Sequence, residues 1–115
     1  MLRLAMTTTT GAMDAPLERL VRRVVEVMNP LEVWLFGSRA ENRARPTSDY
    51  DLLVVMPDST PEPELDPVRA WHLGWEVRVT ADIIPCTRSE FDEEKDELDS
   101  LPRAAVLRGQ KLYER

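Results

Sequence analysis

Five consecutive apolar residues, Leu52-Leu53-Val54-Val55-Met56, follow directly on Asp49-Tyr50-Asp51. A strand that is apolar on both faces has to be covered on both, which places it inside a sheet rather than at an edge. The pattern predicts a strand over Tyr50–Met56. A second apolar run, Glu32–Phe36, breaks at Gly37-Ser38 and reads as a buried strand. A polar connector joins the two. Its first part, Arg39 to Arg43, fits one short helical turn, and Arg45-Pro46-Thr47-Ser48 fits a loop. The span from Val33 to Met56 is therefore two strands, a Gly-Ser turn and a pair of aspartates.

The flanking chain supplies what such strands need. From Asp14 to Met28, Leu17, Leu20, Val21, Val24, Val25 and Met28 recur at three-and-four spacing, the stripe of a helix packed on a core. Asp14 is placed to cap it, Pro16 lies in the first turn, and Asn29-Pro30 ends it. Residues 1–13 show no period and are expected to be a flexible tail, leaving 14–115 as a single domain. Four prolines among acidic residues mark 57–67 as a surface connector. A helix is expected from about Asp66 to Trp75, with Trp71 and Trp75 one turn apart; core packing is the favoured reading of the pair and a partner-facing aromatic pair the lesser one. Glu76–Ile84 alternates and is expected to form a strand, with Val77, Val79, Ala81 and Ile83 on one face and Asp82 on the other, ended by Pro85. Ser89–Asp99 reads as an acidic helix begun at Ser89 or as a solvated loop; Leu101–Gly109 reads as a helix, and Lys111-Leu112-Tyr113 as a last extended piece.

Composition excludes several functions. No apolar run approaches the ~20 residues of a membrane helix. A lone cysteine, Cys86, cannot form an internal disulfide, and MLRLAM is too short for a signal-peptide apolar region, so a cytoplasmic protein is expected. The net charge of −6 argues against direct nucleic-acid binding, which calls for a basic surface. His72 is the sole histidine, which removes a histidine-based triad within the chain and makes a zinc cluster a poor fit.

The remaining chemistry is that of carboxylates and phosphate. Alternate side chains of a strand share a face, so Asp49 and Asp51 point together. If the strand carrying Asp82 lies beside Tyr50–Met56, its carboxylate joins them. Three such groups repel one another, and a divalent cation relieves the conflict; all-oxygen ligands suit Mg²⁺ completed by substrate phosphate. Gly37 lets backbone approach closely, Ser38 adds a hydroxyl, and a helical turn beginning at Arg39 would aim N–H groups at an anion. Arg39, Arg43 and Arg45 would offset phosphate charge. Asp82 could share a metal or accept the proton of an attacking hydroxyl. Gly-Ser alone is an ordinary turn and Asp-x-Asp alone is common in loops. Their placement together, each against an apolar strand, is what points to in-line attack on a nucleotide phosphorus.

At these residues the chain resembles the minimal nucleotidyltransferases of the polymerase-β-like superfamily. Their pattern is Gly-Ser, a spacer, then Asp-x-Asp, with a third carboxylate on a later strand. Here it reads Gly37-Ser38, ten residues, Asp49-Tyr50-Asp51, and later Asp82 in VTADIIP. The resemblance covers most of Asp14 to Tyr113 and implies an α+β fold, a mixed sheet with helices mainly on one face. It implies Asp49, Asp51 and Asp82 as catalytic Mg²⁺ ligands and Gly37, Ser38 and Arg39 around the nucleotide. Stand-alone members are commonly antitoxins that transfer AMP from ATP to a tyrosine hydroxyl of a HEPN-domain toxin, and the ten-residue spacer matches that form. The rival expectations are a non-catalytic antitoxin that neutralises its partner by contact, and nucleotidyl transfer to a small-molecule hydroxyl.

Overall fold

The first helix, α1 (Ala15–Met28), begins where its cap dictates. Asp14 Oδ1 accepts the Leu17 N–H at 2.9 Å, Pro16 occupies the first turn, and Asn29 closes the helix in a left-handed conformation at φ 50°. Its stripe of Leu17, Leu20, Val21 and Val24 is buried. The computed structural model describes residues 13–41 and 49–115; the expected tail before Met13, together with Arg43, Arg45 and the 45–48 loop, lies outside the described residues. The chain continues through β1 (Glu32–Phe36), β2 (Tyr50–Met56), a short 3₁₀ turn (Glu62–Leu65), α2 (Pro67–Glu76), β3 (Ala81–Thr87), α3 (Arg88–Glu94), α4 (Leu101–Arg108) and β4 (Gln110–Glu114).

The strands form one mixed sheet in the order β3-β2-β1-β4, with β2 and β3 parallel and the other pairs antiparallel. The doubly apolar β2 is therefore interior, as its sequence requires. The register builds rows across the sheet: Phe36, Asp51 and Asp82; then Trp34, Leu53 and Ile84; then Glu32, Val55 and Cys86. The intervening side chains, Tyr50, Leu52, Val54 and Met56, face the larger core beneath α1 and α2, with Leu20, Val24 and Leu73. Leu53 and Val55 face the other way and meet Phe91 of α3 and Ala105 of α4. The two longer helices thus cover one face, and two short ones cover the part of the other face away from Asp51 and Asp82.

Four expectations change. The alternating run at Glu76–Ile84 is not one strand. Glu76 still belongs to α2, and Arg78 turns the chain at φ 60° while the Val77 and Val79 N–H groups both return to the Gly74 carbonyl. Alternation over so few residues does not separate a strand from a helix exit followed by a strand. Pro85 does not end β3, which runs on to Thr87; an edge strand tolerates a proline whose missing donor would have faced away from the sheet. Trp71 and Trp75 are not core residues, being 38% and 69% exposed. The acidic helix α3 is begun not by Ser89 but by a capping box between Thr87 and Glu90.

Candidate active site

Parallel pairing of β2 with β3 sets Asp51 directly across from Asp82. The crossover through α2 brings a residue thirty-one positions away into that register. Asp49 immediately precedes β2 and is exposed, as is Asp82; Asp51 is half-buried between them. Burial first, and then the charges of Asp82 and Asp49, push the Asp51 carboxyl above the ordinary carboxylate value. The sequence-predicted carboxylates are therefore brought to one end of the sheet, where they feel one another's charge.

β1 ends beside this pair. Gly37 stands at φ 76°, and a Cβ on it would fall on an Asp51 carboxylate oxygen. Position 37 thus needs glycine twice over, for its conformation and for the approach of the acid. The Gly37 carbonyl then accepts the N–H groups of Ala40 (3.1 Å) and Glu41 (3.2 Å), folding residues 38–41 into the start of the expected turn. Ser38 is half-buried at its beginning. The turn is held from beneath and from the far end of the chain: Ala40 is buried, Gln110 Nε2 donates to the Ala40 carbonyl at 3.2 Å, and Arg108 lies 3.8 Å from the Glu41 carboxylate. Residues of α4 and β4 therefore support the Gly37-Ser38 segment, a role with no local signature in the sequence.

A second support joins α1 to the Asp-x-Asp segment. Tyr50 lies between the two acids with its side chain on the opposite face of β2. Its hydroxyl donates to both oxygens of Asp14, at 2.8 and 3.0 Å, while Asp14 also caps α1. Burial, reinforced by the Asp14 carboxylate, raises the Tyr50 pKa and keeps the phenol a donor. The Arg39 guanidinium lies 4.3 Å from the centre of the Tyr50 ring. The capping role of Asp14 was legible, but its partnership with Tyr50 spans thirty-six residues and leaves no local signature.

Among the described residues, no three acidic, histidine or cysteine side chains are gathered tightly enough to form a complete metal cage. The donor set nevertheless fits a hard cation. It is all carboxylate oxygen, and Asp51 carries a like-charge conflict that a cation would remove. Mg²⁺ commonly takes one or two carboxylates and completes its shell with water and substrate phosphate. Asp49, Asp51 and Asp82 are the residues that could hold it. Farther along β3, burial, together with Glu90 and Glu94, pushes the Cys86 thiol up to about 12, far from a thiolate nucleophile.

A small mixed sheet, a Gly-Ser turn against its second strand and paired acids across two adjacent strands define a class of nucleotide-handling domain. Residues 17–110 match the model of the nucleotidyltransferase domain family, and the chain belongs to that family. Two solved structures share its fold. One is a chain of a toxin–antitoxin crystallised with AMP-PNP, with a TM-score of 0.60 at 15% identity, covering 85% of this chain and 73% of that one. The other is a protein from Sulfolobus solfataricus assigned as a nucleotidyltransferase, with a TM-score of 0.51 at 21% identity, covering 92% of this chain and 93% of that one. No curated protein matches the chain.

Proposed function

We propose that this protein is a Mg²⁺-dependent nucleotidyltransferase that moves AMP from ATP to a tyrosine hydroxyl of a HEPN-domain toxin, and so acts as that toxin's antitoxin. The observation that carries the transfer reading is the register of Asp51 against Asp82, with Gly37 packed on Asp51. The antitoxin reading draws on the resemblance of Gly37-Ser38 and Asp49-Tyr50-Asp51 to minimal nucleotidyltransferases. It draws also on the toxin–antitoxin chain that shares the fold.

In this reading the Gly37-Ser38 turn receives the phosphates through backbone N–H groups and the Ser38 hydroxyl, with Arg39 offsetting their charge. Asp49, Asp51 and Asp82 would hold Mg²⁺, which supplies neutralisation of phosphate charge when bound. The tyrosine oxygen attacks the α-phosphorus of ATP. The bond from that phosphorus to the bridging oxygen breaks, pyrophosphate leaves with the electron pair, and Asp82 takes the phenolic proton. Positioning and charge neutralisation are the main catalytic contributions. In this reading the acceptor tyrosine belongs to a separate protein, as the resemblance to stand-alone minimal nucleotidyltransferases implies.

The test is incubation of wild type and Asp49→Ala/Asp51→Ala with α-phosphate-labelled ATP, Mg²⁺ and the product of the neighbouring gene. Label on a tyrosine of that product with wild type, and none with the double variant, is the expected result. Absence of transfer by wild type would overturn the reading. Full protection of cells by the double variant would instead identify neutralisation by contact alone.

A further inference from the structure

One turn of helix does not hold its own position, because its last carbonyls have no partner within it. The turn after β1 closes through the Ala40 and Glu41 N–H groups, which donate to the Gly37 carbonyl at 3.1 and 3.2 Å. That closure uses neither the Ser38 N–H nor the Ser38 hydroxyl. The Ala40 carbonyl takes its donor from the far end of the chain, Gln110 Nε2 at 3.2 Å.

Gln110 is itself firmly placed. It begins β4, and the pairing of β4 with β1 sets it across from Leu35, just before Gly37. Opposite residues of an antiparallel pair share a face. Leu35 and Ala40 both belong to the core beneath α1, so the Gln110 side chain reaches beyond the end of β1 on the face where Ala40 is buried. The residues on either side fix its backbone. Gly109 donates its N–H to the Ala105 carbonyl at 2.8 Å, and a Cβ on Gly109 would fall 2.5 Å from the Leu35 carbonyl oxygen. Only glycine lets α4 hand the chain to β4 so close to β1. On the other side, Lys111 Nζ lies 5.4 Å from the centre of the Trp34 ring. The Arg108–Glu41 ion pair, 3.8 Å long with Arg108 59% exposed, adds little to this hold.

From this we infer that Gln110 is a positioning residue for the nucleotide. By holding the Ala40 carbonyl it sets the place of the turn whose Ser38 N–H and hydroxyl receive the phosphates, and so sets the affinity for a nucleoside triphosphate from β4. Gln110 acts only through the turn and does not touch the reacting atoms. The inference rests on the proposed phosphate-binding role of Gly37-Ser38 and adds the residue that fixes that segment. The residue type matters, since a glutamate at this place would set one acceptor against another.

Gln110→Met tests it, because methionine keeps the length of the side chain and removes the donor. Thr87→Ala is the control for lost stability. It removes the capping box of α3 at the end of β3 opposite to Asp82. Calorimetric titration with Mg²⁺ and a non-hydrolysable ATP analogue gives Kd, and transfer to the product of the neighbouring gene gives KM for ATP and kcat. A smaller folded fraction lowers the number of sites and kcat and leaves Kd unchanged, so a merely structural role would make the two variants alike. The expected result for Gln110→Met is a roughly threefold or greater rise in Kd and a matching rise in KM, with kcat within about twofold of wild type and with Kd unchanged in Thr87→Ala. A smaller rise in Gln110→Met, or an equal rise in Thr87→Ala, overturns the inference. If wild type binds the analogue and transfers no label from ATP, the transfer reading falls, and the comparison of Kd values still decides the role of Gln110. If wild type does not bind the analogue, the phosphate-binding role of the turn falls and the inference with it.

Discussion

An alanine at position 37 would have to hold a φ of 76° and direct its methyl group at the Asp51 carboxylate. The backbone strain alone is worth about 1–3 kcal/mol. The carboxylate would also have to move, so loss of function should exceed loss of stability. Gly37→Ala is expected to lower stability in urea by that amount and to abolish the MgATP-induced thermal shift. Asp51 behaves in the opposite sense. Burial, Asp82 and Asp49 raise its carboxyl pKa above 3.8, so the folded state holds its proton more tightly than the unfolded state. Its contribution to stability is complete below the ordinary value and is lost as pH rises through the raised value. Asp51→Asn should therefore raise the thermal midpoint at pH 7 while eliminating transfer. The gain should be under about 1 kcal/mol, because the side chain remains in contact with water. It should shrink as wild type is taken to lower pH, which melting curves across the acid range would show.

At the scale of elements, the junction of α1 and β2 is the testable joint. Tyr50→Phe removes the hydroxyl from Asp14 and keeps the ring beneath Arg39, for a cost of about 1 kcal/mol with nucleotide binding retained. Asp14→Ala removes both the helix cap and the acceptor of a buried phenol, for roughly 2 kcal/mol. Because one interaction is common to both, the double variant should cost less than the sum, read as a coupling energy from denaturation curves. The same joint shows where sequence pattern stops being informative. α1, β1 and β2 were legible because each carries its own periodicity and stop signals, and the Asp-x-Asp and Gly-Ser segments because they interrupt that periodicity. Asp82 was legible as an acid, but its place opposite Asp51 depends on where α2 releases the chain. The left-handed turn at Arg78 decides that, and it is hidden in an alternating run. Trp71 and Trp75 misled for a related reason: two aromatics one turn apart look alike whether a helix buries them or presents them. The Gln110 and Arg108 contacts to the Gly37–Glu41 turn are tertiary and had no local signal.

For the whole molecule, the acids gathered at one end of the sheet favour a cation over an anion there. The chain already carries a net charge of −6, and folding concentrates Asp51 against Asp49 and Asp82. ATP alone adds negative charge to that end, whereas ATP with Mg²⁺ brings the compensating cation with it. A ligand that binds only the folded state stabilises it by RT ln(1 + [L]/Kd), about 2.7 kcal/mol at a hundredfold excess over Kd. For a domain of this size that is a rise of several degrees in thermal midpoint. Wild type should therefore melt higher with MgATP, and addition of EDTA to the same sample should remove most of the rise. Asp51→Asn should begin from a higher midpoint without ligand and gain little from MgATP. The two effects of one substitution have opposite signs, and a merely structural role for Asp51 would produce neither the initial gain nor the lost response. A scan of both proteins with ATP, with MgATP and with MgATP plus EDTA separates these cases. An equal MgATP shift in wild type and variant would remove Asp51 from the nucleotide site.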